Sequence, residues 1–510
     1  MKTTILAGHV TAWLNRRVPP IVTRARSWGS RLAIEDVEGA HTYDDLLTAS
    51  EIGAARLLAG RDDLAEGRVA FMIEPSYAYV VAQWSIWRAG GIAVPLCLTH
   101  PAPELEYALD TTRPEMAVYS PSYADALAPL AEPRGIPHIS IDELAGEPGS
   151  LPEVDGARRA MILFTSGTTG RPKGVVSTHA NLTAQIESLV DAWAWSDEDR
   201  ILLTLPLHHV HGIVNVLSCA LWSGALCDML PAFDAAAVVE RISTGDLTLY
   251  MAVPTLYHRL IAYLERMPQE DLGRFGVAAK ALRLMVSGSA ALPVPVLERW
   301  RELTGHTLLE RYGMTEIGMA LSNPYDGERV PGSVGSPLPG VEVRLAGDDD
   351  QPAPAGGVGE IEVKGPGVFL EYWERPEDTD AAFTEDGWFR TGDTATIEDG
   401  RFRILGRTSV DILKTGGEKV SALEIEEVLL GHPAVDEVAV VGVDDPEWGD
   451  RVVAVIVARD TVEPSELRDW VRARLAPHKV PKQFHFVDDL PRNALGKTMK
   501  PQVVEMVSPS

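Results

Sequence analysis

Cysteine is scarce in this chain: Cys97, Cys219 and Cys227 are spread over 510 residues. They are unevenly spaced and form no C-x-x-C, so neither a disulfide framework nor a cysteine-based zinc site is indicated. Small buried hydrophobes in a reducing compartment are expected. Positive charge is also short, since 46 Lys and Arg against 73 Asp and Glu leave a formal net charge of −27. Such a chain cannot neutralise a phosphate backbone in bulk, so no nucleic-acid partner is expected. Anionic small molecules remain allowed, provided local cations or backbone N–H groups meet them inside a site. No apolar run reaches the ~20 residues of a membrane span, which argues against membrane insertion. The chain has no G-x-S-x-G, which disfavours a serine hydrolase. Its Gly496-Lys497-Thr498 has Pro491 where a Walker loop needs its first glycine, which excludes a P-loop NTPase. Acid is missing from the first 34 residues, which carry Lys2, Arg16, Arg17, Arg24, Arg26 and Arg31. That is a weak transit-peptide pattern. The preferred reading is an opening helix, Pro20 to Ala33, leading into a strand at Leu32–Glu35, with Ile21, Val22, Trp28 and Leu32 as packing positions.

What is present reads as an ordinary globular protein, 45% apolar and 23% charged. The length exceeds what one compact core holds, so a large domain with subdomains and a smaller domain are expected. Short apolar runs alternate with amphipathic stretches: Arg68–Ile73 then Tyr77–Ala89, Arg200–Leu205 then Val210–Trp222, and Leu247–Val253 then Thr255–Arg266. Strands alternating with helices of this length predict layered, mostly parallel sheets covered on both faces. Between about Gly332 and Gly400 glycine and proline become frequent and runs such as Gly359–Val363 are short, which predicts an antiparallel, β-barrel-like subdomain. After Gly406 the α/β pattern returns in short form. The expected division is a domain of residues 1–406 and a small mobile α+β domain of residues 407–510. No internal repeat or low-complexity tract occurs.

Chemistry concentrates first in Ile162-Leu-Phe-Thr-Ser-Gly-Thr-Thr-Gly-Arg-Pro-Lys-Gly174. A strand, Met161–Phe164, runs into a loop of Thr165, Ser166, Gly167, Thr168, Thr169 and Gly170 that ends near Lys173. Hydroxyls, backbone N–H groups unshielded by Cβ atoms and one mobile ammonium suit a phosphate chain.

That segment resembles the phosphate loop of the adenylate-forming superfamily of acyl-CoA synthetases, luciferases and nonribosomal-peptide adenylation domains. The resemblance covers nearly the whole chain, with the family's motifs in order. Leu205-Pro-Leu-His-His-Val-His-Gly212 is similar to the segment whose histidine gates the acyl pocket, here His209. Val286-Ser-Gly-Ser-Ala-Ala291 resembles the turn that lies against adenine and acyl group, with Ser287, Ser289 and Ala290. In Glu310-Arg-Tyr-Gly-Met-Thr-Glu316 the resemblance implies that Tyr312 stacks on adenine, Thr315 bonds the α-phosphate and Glu316 holds Mg2+. Glu310, Arg311, Gly313 and Met314 complete that nucleotide wall. Trp388-Phe-Arg-Thr-Gly-Asp393 supplies the ribose-binding Asp393, a carboxylate facing a diol. Arg407 is implied near the ribose, and Pro491 to Lys497 carries the catalytic lysine, Lys497. In Leu413-Lys-Thr-Gly-Gly-Glu-Lys-Val420, Lys414, Gly416 and Gly417 would admit the pantetheine. Two departures occur: Ser409 stands where the hinge is commonly Asp or Lys, and Glu418 where an aromatic is common.

The implied chemistry is attack of a carboxylate on the α-phosphorus of ATP, followed by thiolysis of the acyl-adenylate by coenzyme A. ATP, Mg2+ and coenzyme A are the expected cofactors and co-substrates, and the expected state is a monomer or weak homo-oligomer. The segments around His209, Arg283 to Pro293 and Glu310 to Met319 resemble malonyl-CoA synthetases, which implies malonate, with methylmalonate beside it, as the acid. A buried second carboxylate needs a cation. Arg259 and Arg283 are the candidates, at even odds with structural salt bridges, and Met319 would bound the space for a 2-substituent. The alternatives are a medium- or long-chain fatty acyl-CoA ligase and a standalone enzyme loading a carrier protein. A non-catalytic nucleotide binder is disfavoured by the presence of Lys497 and Asp393. The expected compartment is the cytoplasm, or the mitochondrial matrix in a eukaryote.

Overall fold

The computed structural model describes residues 18–165, 171–347, 352–354, 356–415, 418–445, 448–492 and 497–508. The expectations for Ser166, Gly167, Thr168, Thr169, Gly170, Gly416 and Gly417 lie outside the described residues.

Two large sheets share one layer of helices. The seven-stranded sheet runs Glu371–Tyr372, Lys173–Thr178, Arg159–Thr165, Ile92–Pro95, Arg68–Met72, Met116–Tyr119 and His138–Ser140 from edge to edge. It is parallel from Arg159–Thr165 onward. The nine-stranded sheet runs Ser336–Pro337, Gly318–Ser322, Leu309–Met314, Leu284–Ser287, Leu249–Ala252, Arg200–Leu203, Leu226–Met229, Leu32–Asp36 and Gly39–Thr42. Its interior is parallel, and antiparallel strands close both edges. Alternate side chains explain the continuous apolar runs. Val69, Phe71, Leu249 and Met251 enter the shared core, whereas Ala70 and Met72 enter one outer core and Tyr250 and Ala252 the other. Strands buried on both faces read as unbroken hydrophobic segments. Helix Tyr77–Arg88 lies in the shared layer, apolar nearly all round, with Ser76 Oγ accepting from the Tyr79 N–H at 3.3 Å as its cap.

The opening helix is shorter than its sequence pattern predicts: Pro20–Ala25 is helical, a turn follows, and the strand begins at Leu32. Trp28 in that turn packs against Gly224, where an added Cβ would stand 2.6 Å from the indole. The helix expected over Val210–Trp222 is a π-helical segment, His211–Ser218, continued by the α-helix Cys219–Ser223.

The Gly/Pro-rich region forms a four-stranded antiparallel sheet of Glu342–Ala346, Val358–Lys364, Phe389–Glu398 and Arg401–Arg407. The next strand, Ile412–Thr415, belongs to another sheet with Glu418–Ser421, Gly449–Ala458, Val435–Asp445 and Gln483–Phe486. Helices Ala422–Leu430, Pro464–Arg472 and Lys500–Val507 accompany this sheet. A partly buried knot of charge stands where the chain passes between the two sheets. Lys500 Nζ donates to Asp411 Oδ1 at 2.5 Å and lies 2.7 Å from Glu426 Oε1, while Asp411 Oδ2 accepts from the Arg407 N–H at 3.0 Å.

Candidate active site

The site forms at the carboxyl ends of the parallel strands, where open α/β sheets hold their ligands. Leu309–Met314 delivers Arg311 and Tyr312, and its antiparallel return through Thr315 and Glu316 to Gly318–Ser322 delivers Met319. Gly318 holds φ 62°, and a Cβ there would strike Gln185 at 2.4 Å, so this turn requires glycine.

Asp393 and Arg407 are partners in adjacent antiparallel strands. Asp393 Oδ1 accepts from Arg407 Nε at 3.0 Å and Oδ2 from Tyr312 Oη at 2.6 Å. Residues far apart in sequence thus converge on one carboxylate. Lys497 reaches the same place from the C-terminal sheet. Burial and the neighbouring Arg311 and Arg407 lower its pKa, with Asp393 opposing them. Its side chain nonetheless keeps an exposed face, as a group lining a cleft does.

Glu316 is buried, and burial raises its pKa. Tyr372 Oη donates to its Oε1 at 3.1 Å, whereas Oε2 has no partner among the described residues. Lys173 stands over the Tyr372 ring at 4.8 Å and pairs with Asp378 at 2.9 Å. Thr165 and Lys173 face each other across the antiparallel ladder that brackets the phosphate-loop segment. Thr315 is buried in the turn before Glu316.

Arg311 is the most unusual group. Its guanidinium is buried without an ion pair to any described carboxylate, burial lowers its pKa to about 9, and Nε has no hydrogen-bond partner. Its Nη2 donates to Ser289 Oγ at 3.4 Å. Ser289 in turn meets His211 Nδ1 at 3.2 Å and holds φ 71°. Ser287 Oγ and His211 Nε2 are also buried and unpartnered. Burial, Lys497, His208 and Arg311 push the His209 imidazole down to about 3, so it is neutral at pH 7. An uncompensated buried cation among idle donors is stable only if an anion completes it. Met319 pairs with Gly313 across the antiparallel ladder, its Cε 2.6 Å from where a Cβ on Gly313 would stand.

Of the two expected carboxylate readers, Arg283 is engaged elsewhere. Arg283 Nε and Nη2 grip Asp199 at 2.7 and 2.6 Å, and Nη1 donates to the Trp193 carbonyl at 2.9 Å. Its position explains this, because Arg283 precedes Leu284–Ser287 and so sits at the end of the strand remote from the site. Arg259 is exposed on helix Pro254–Leu264 with its guanidinium 4.8 Å from the Phe233 ring. Arg311, expected in the nucleotide wall, is the buried cation beside Ser289. Glu310 is buried. Its buried carboxyl accepts from the Leu292 N–H at 2.9 Å, and desolvation raises its pKa to about 8. Ala290 is exposed at the turn, Met314 packs partly buried in the core beside the antiparallel sheet, and Lys414 is exposed on the C-terminal sheet.

A catalytic nucleotide-binding site at strand ends, with a second sheet bringing in a lysine, defines a class. The chain belongs to the AMP-binding enzyme family: that family's profile matches residues 21–373, and the AMP-binding enzyme C-terminal domain matches residues 424–497. Among relatives, it is 47% identical to the mitochondrial malonate–CoA ligase of Mus musculus, over 96% of this chain and 91% of that protein. The malonate–CoA ligase of Arabidopsis thaliana is 38% identical, over 93% of this chain and 86% of that one. Among solved structures, ATP-bound MatB from Rhodopseudomonas palustris aligns with a TM-score of 0.88 at 36% identity, covering 96% and 99% of the two chains. A malonyl-CoA ligase ternary product complex with methylmalonyl-CoA and AMP aligns at 0.68 and 39% identity, covering 93% and 100%.

Proposed function

We propose that this enzyme ligates malonate, and methylmalonate beside it, to coenzyme A through an acyl-adenylate, releasing AMP and pyrophosphate. The observation that carries the choice of acid is Arg311, a buried guanidinium with no carboxylate partner among the described residues. A dicarboxylate presents one carboxylate to ATP and the other to Arg311, with Ser289 and Ser287 as further donors and Met319 bounding the 2-substituent. A fatty acid would leave Arg311 buried and unpaired, at a cost of several kcal/mol.

The carboxylate attacks the α-phosphorus while pyrophosphate leaves in line, so the protein's work is positioning and electrostatic stabilisation. Lys497 and Thr315 meet the charge that builds on the α-phosphate, Tyr312 flanks the base, and Asp393 takes the ribose hydroxyls beside Arg407. His209, neutral, lines the acyl pocket without competing for its protons. Mg2+ fits at Glu316, whose orphaned buried oxygen asks for a cation. Among the described residues no group of three or more His, Cys, Asp or Glu is arranged to cage a metal. A magnesium ion here would therefore be shared with ATP phosphates, neutralising them as it does in other nucleotide sites.

Residues 1–406 act as the adenylation domain and residues 407–510 as a mobile domain that exchanges Lys497 for the hairpin of Lys414 after adenylation. The higher TM-score to the ATP-bound relative, despite its lower identity, supports reading the present arrangement as the adenylating one. The neighbouring mitochondrial relatives favour the mitochondrial matrix in a eukaryotic source. No described helix is long and apolar enough to cross a membrane. The test is isotope exchange between pyrophosphate and ATP. Exchange should require malonate but not coenzyme A, and adding coenzyme A should yield malonyl-CoA and AMP in equal amounts. Malonate-independent exchange, or malonyl-CoA formed with ADP, would overturn the scheme.

A further inference from the structure

One acid stands where it opposes the ligand. Lys173 closes the segment expected to cradle a phosphate chain, yet its Nζ donates to Asp378 Oδ1 at 2.9 Å. A carboxylate beside a phosphate-binding ammonium repels the phosphate, so for ligand binding alone the pair is a liability. Neither side chain is deeply buried: Lys173 is 25% exposed and Asp378 37%, so a ligand can reach the contact.

The surroundings fix the carboxylate and leave the ammonium as the moving part. Asp378 lies on the short helix Pro376–Ala381, and Arg375 Nη1 donates to its Oδ2 at 3.2 Å. Arg375 is held in turn: its Nη2 donates to Tyr107 Oη at 3.3 Å, and Tyr107 Oη donates to the Pro172 carbonyl at 2.8 Å. The Tyr372 N–H donates to Thr379 Oγ1 at 3.0 Å, and Thr379 Oγ1 donates to the Arg375 carbonyl at 2.8 Å, which locks the turn into the helix. Strand Glu371–Tyr372 pairs with Lys173–Thr178, and the Trp373 N–H donates to the Gly174 carbonyl at 2.8 Å. Asp378 and the backbone of Lys173 therefore belong to one framework, from which the flexible four-carbon stem of Lys173 projects. Its ammonium rests 4.8 Å from the Tyr372 ring centroid, a contact that holds a cation weakly. The same ammonium holds the Asp378 carboxyl below the usual carboxylate range, so the acid is charged at neutral pH.

We propose that Asp378 is a positioning residue for Lys173: it holds the ammonium in the nucleotide-free enzyme, yields it to the β- and γ-phosphates of ATP and takes it back as pyrophosphate leaves. This role rests on reading Thr165 to Lys173 as the phosphate loop. The phosphate chain carries more charge than one carboxylate, and parting an ion pair this exposed costs little, so ATP wins the ammonium. The benefit comes at release. Pyrophosphate is held by the same ammonium, and a carboxylate competing for it weakens that hold by the factor it takes from ATP. Weaker nucleotide binding and faster product release are thus one effect of one residue.

Titration calorimetry on the full-length enzyme, with no acid substrate present, measures the binding of ATP and of inorganic pyrophosphate. Asp378→Asn keeps the shape of the side chain and should tighten both ligands about fivefold, while Asp378→Glu should return them towards wild type. Lys173→Met should weaken both ligands, and adding Asp378→Asn to it should change little, because the acid acts through the ammonium. A merely structural Asp378 would instead give a lower melting temperature and weaker binding of both ligands. That result, or unchanged affinity in Asp378→Asn, would overturn the proposal. Equal tightening in the Lys173→Met background would also overturn it, reducing Asp378 to long-range repulsion. A Lys173→Met enzyme that binds both ligands as wild type does would overturn the phosphate-loop reading, and the proposal with it. No acid enters any of these titrations, so the choice of malonate stands or falls separately.

Discussion

Arg311 and Arg283 are the same residue type put to opposite uses, and substitution separates them. Arg311→Gln should lower kcat/KM for malonate by about a hundredfold, since a buried charge partner is lost, while monocarboxylates suffer less. Arg283→Met should leave the kinetics unchanged but destabilise the fold by about 3 kcal/mol, because it strips the partner from the buried Asp199 carboxylate. Steady-state kinetics and thermal melts decide both. Lys497→Ala should cost adenylation about a hundredfold or more and spare thiolysis of pre-formed acyl-adenylate. Glu310 adds a pH signature. Its folded pKa of about 8 lies above the ordinary carboxylate value, so its stabilising contribution is complete in acid and is lost as pH rises towards 8. Melting wild type and Glu310→Gln from pH 4.5 to 8 should show the wild type losing ground steadily to the variant. The convergence of Tyr312, Asp393, Arg407 and Lys497 was legible in the sequence because each sits in a motif that the family resemblance sets around one nucleotide. Arg283 misleads because sequence distance to Ser287 is short while the strand carries them about 13 Å apart at ~3.3 Å per residue.

At the scale of elements, the strand–helix alternation was readable because strands buried on both faces leave unbroken apolar runs. The π-helical segment His211–Ser218 was not, since apolar spacing in so short a stretch does not separate a wider helix from an α-helix. The turn Ser287–Ser289 shows what an element can demand of one residue. A Cβ on Gly288 would stand 2.4 Å from the Arg311 guanidinium carbon. Gly288→Ala should therefore displace Arg311, raise KM for malonate about tenfold or more and leave the melting temperature nearly unchanged, since losing a well-aligned charged hydrogen bond costs ~1.5–3 kcal/mol. Equal loss with malonate and with acetate would point to the nucleotide wall instead.

For the whole molecule, the net charge of −27 conceals a local reversal: Arg311, Arg407 and Lys497 converge where the substrates are anionic. Composition argued against a nucleic-acid partner but could not reveal this clustering, which arises only when two sheets and a third, later one meet. The passage between sheets depends on Lys500, held by Asp411 and Glu426. Lys500→Met should leave two buried carboxylates facing each other, destabilising the C-terminal part by about 3–5 kcal/mol and reducing adenylation with it. Limited proteolysis should then cut first beyond Arg407. The most direct measurement of the central claim is kcat/KM for AMP formation with coenzyme A across malonate, methylmalonate, acetate, octanoate and palmitate. Malonate should lead, with methylmalonate next and acetate nearly inert, because only a second carboxylate satisfies Arg311. Octanoate or palmitate ahead of malonate would contradict the account of the pocket, leaving the adenylating chemistry but assigning it to a fatty acid.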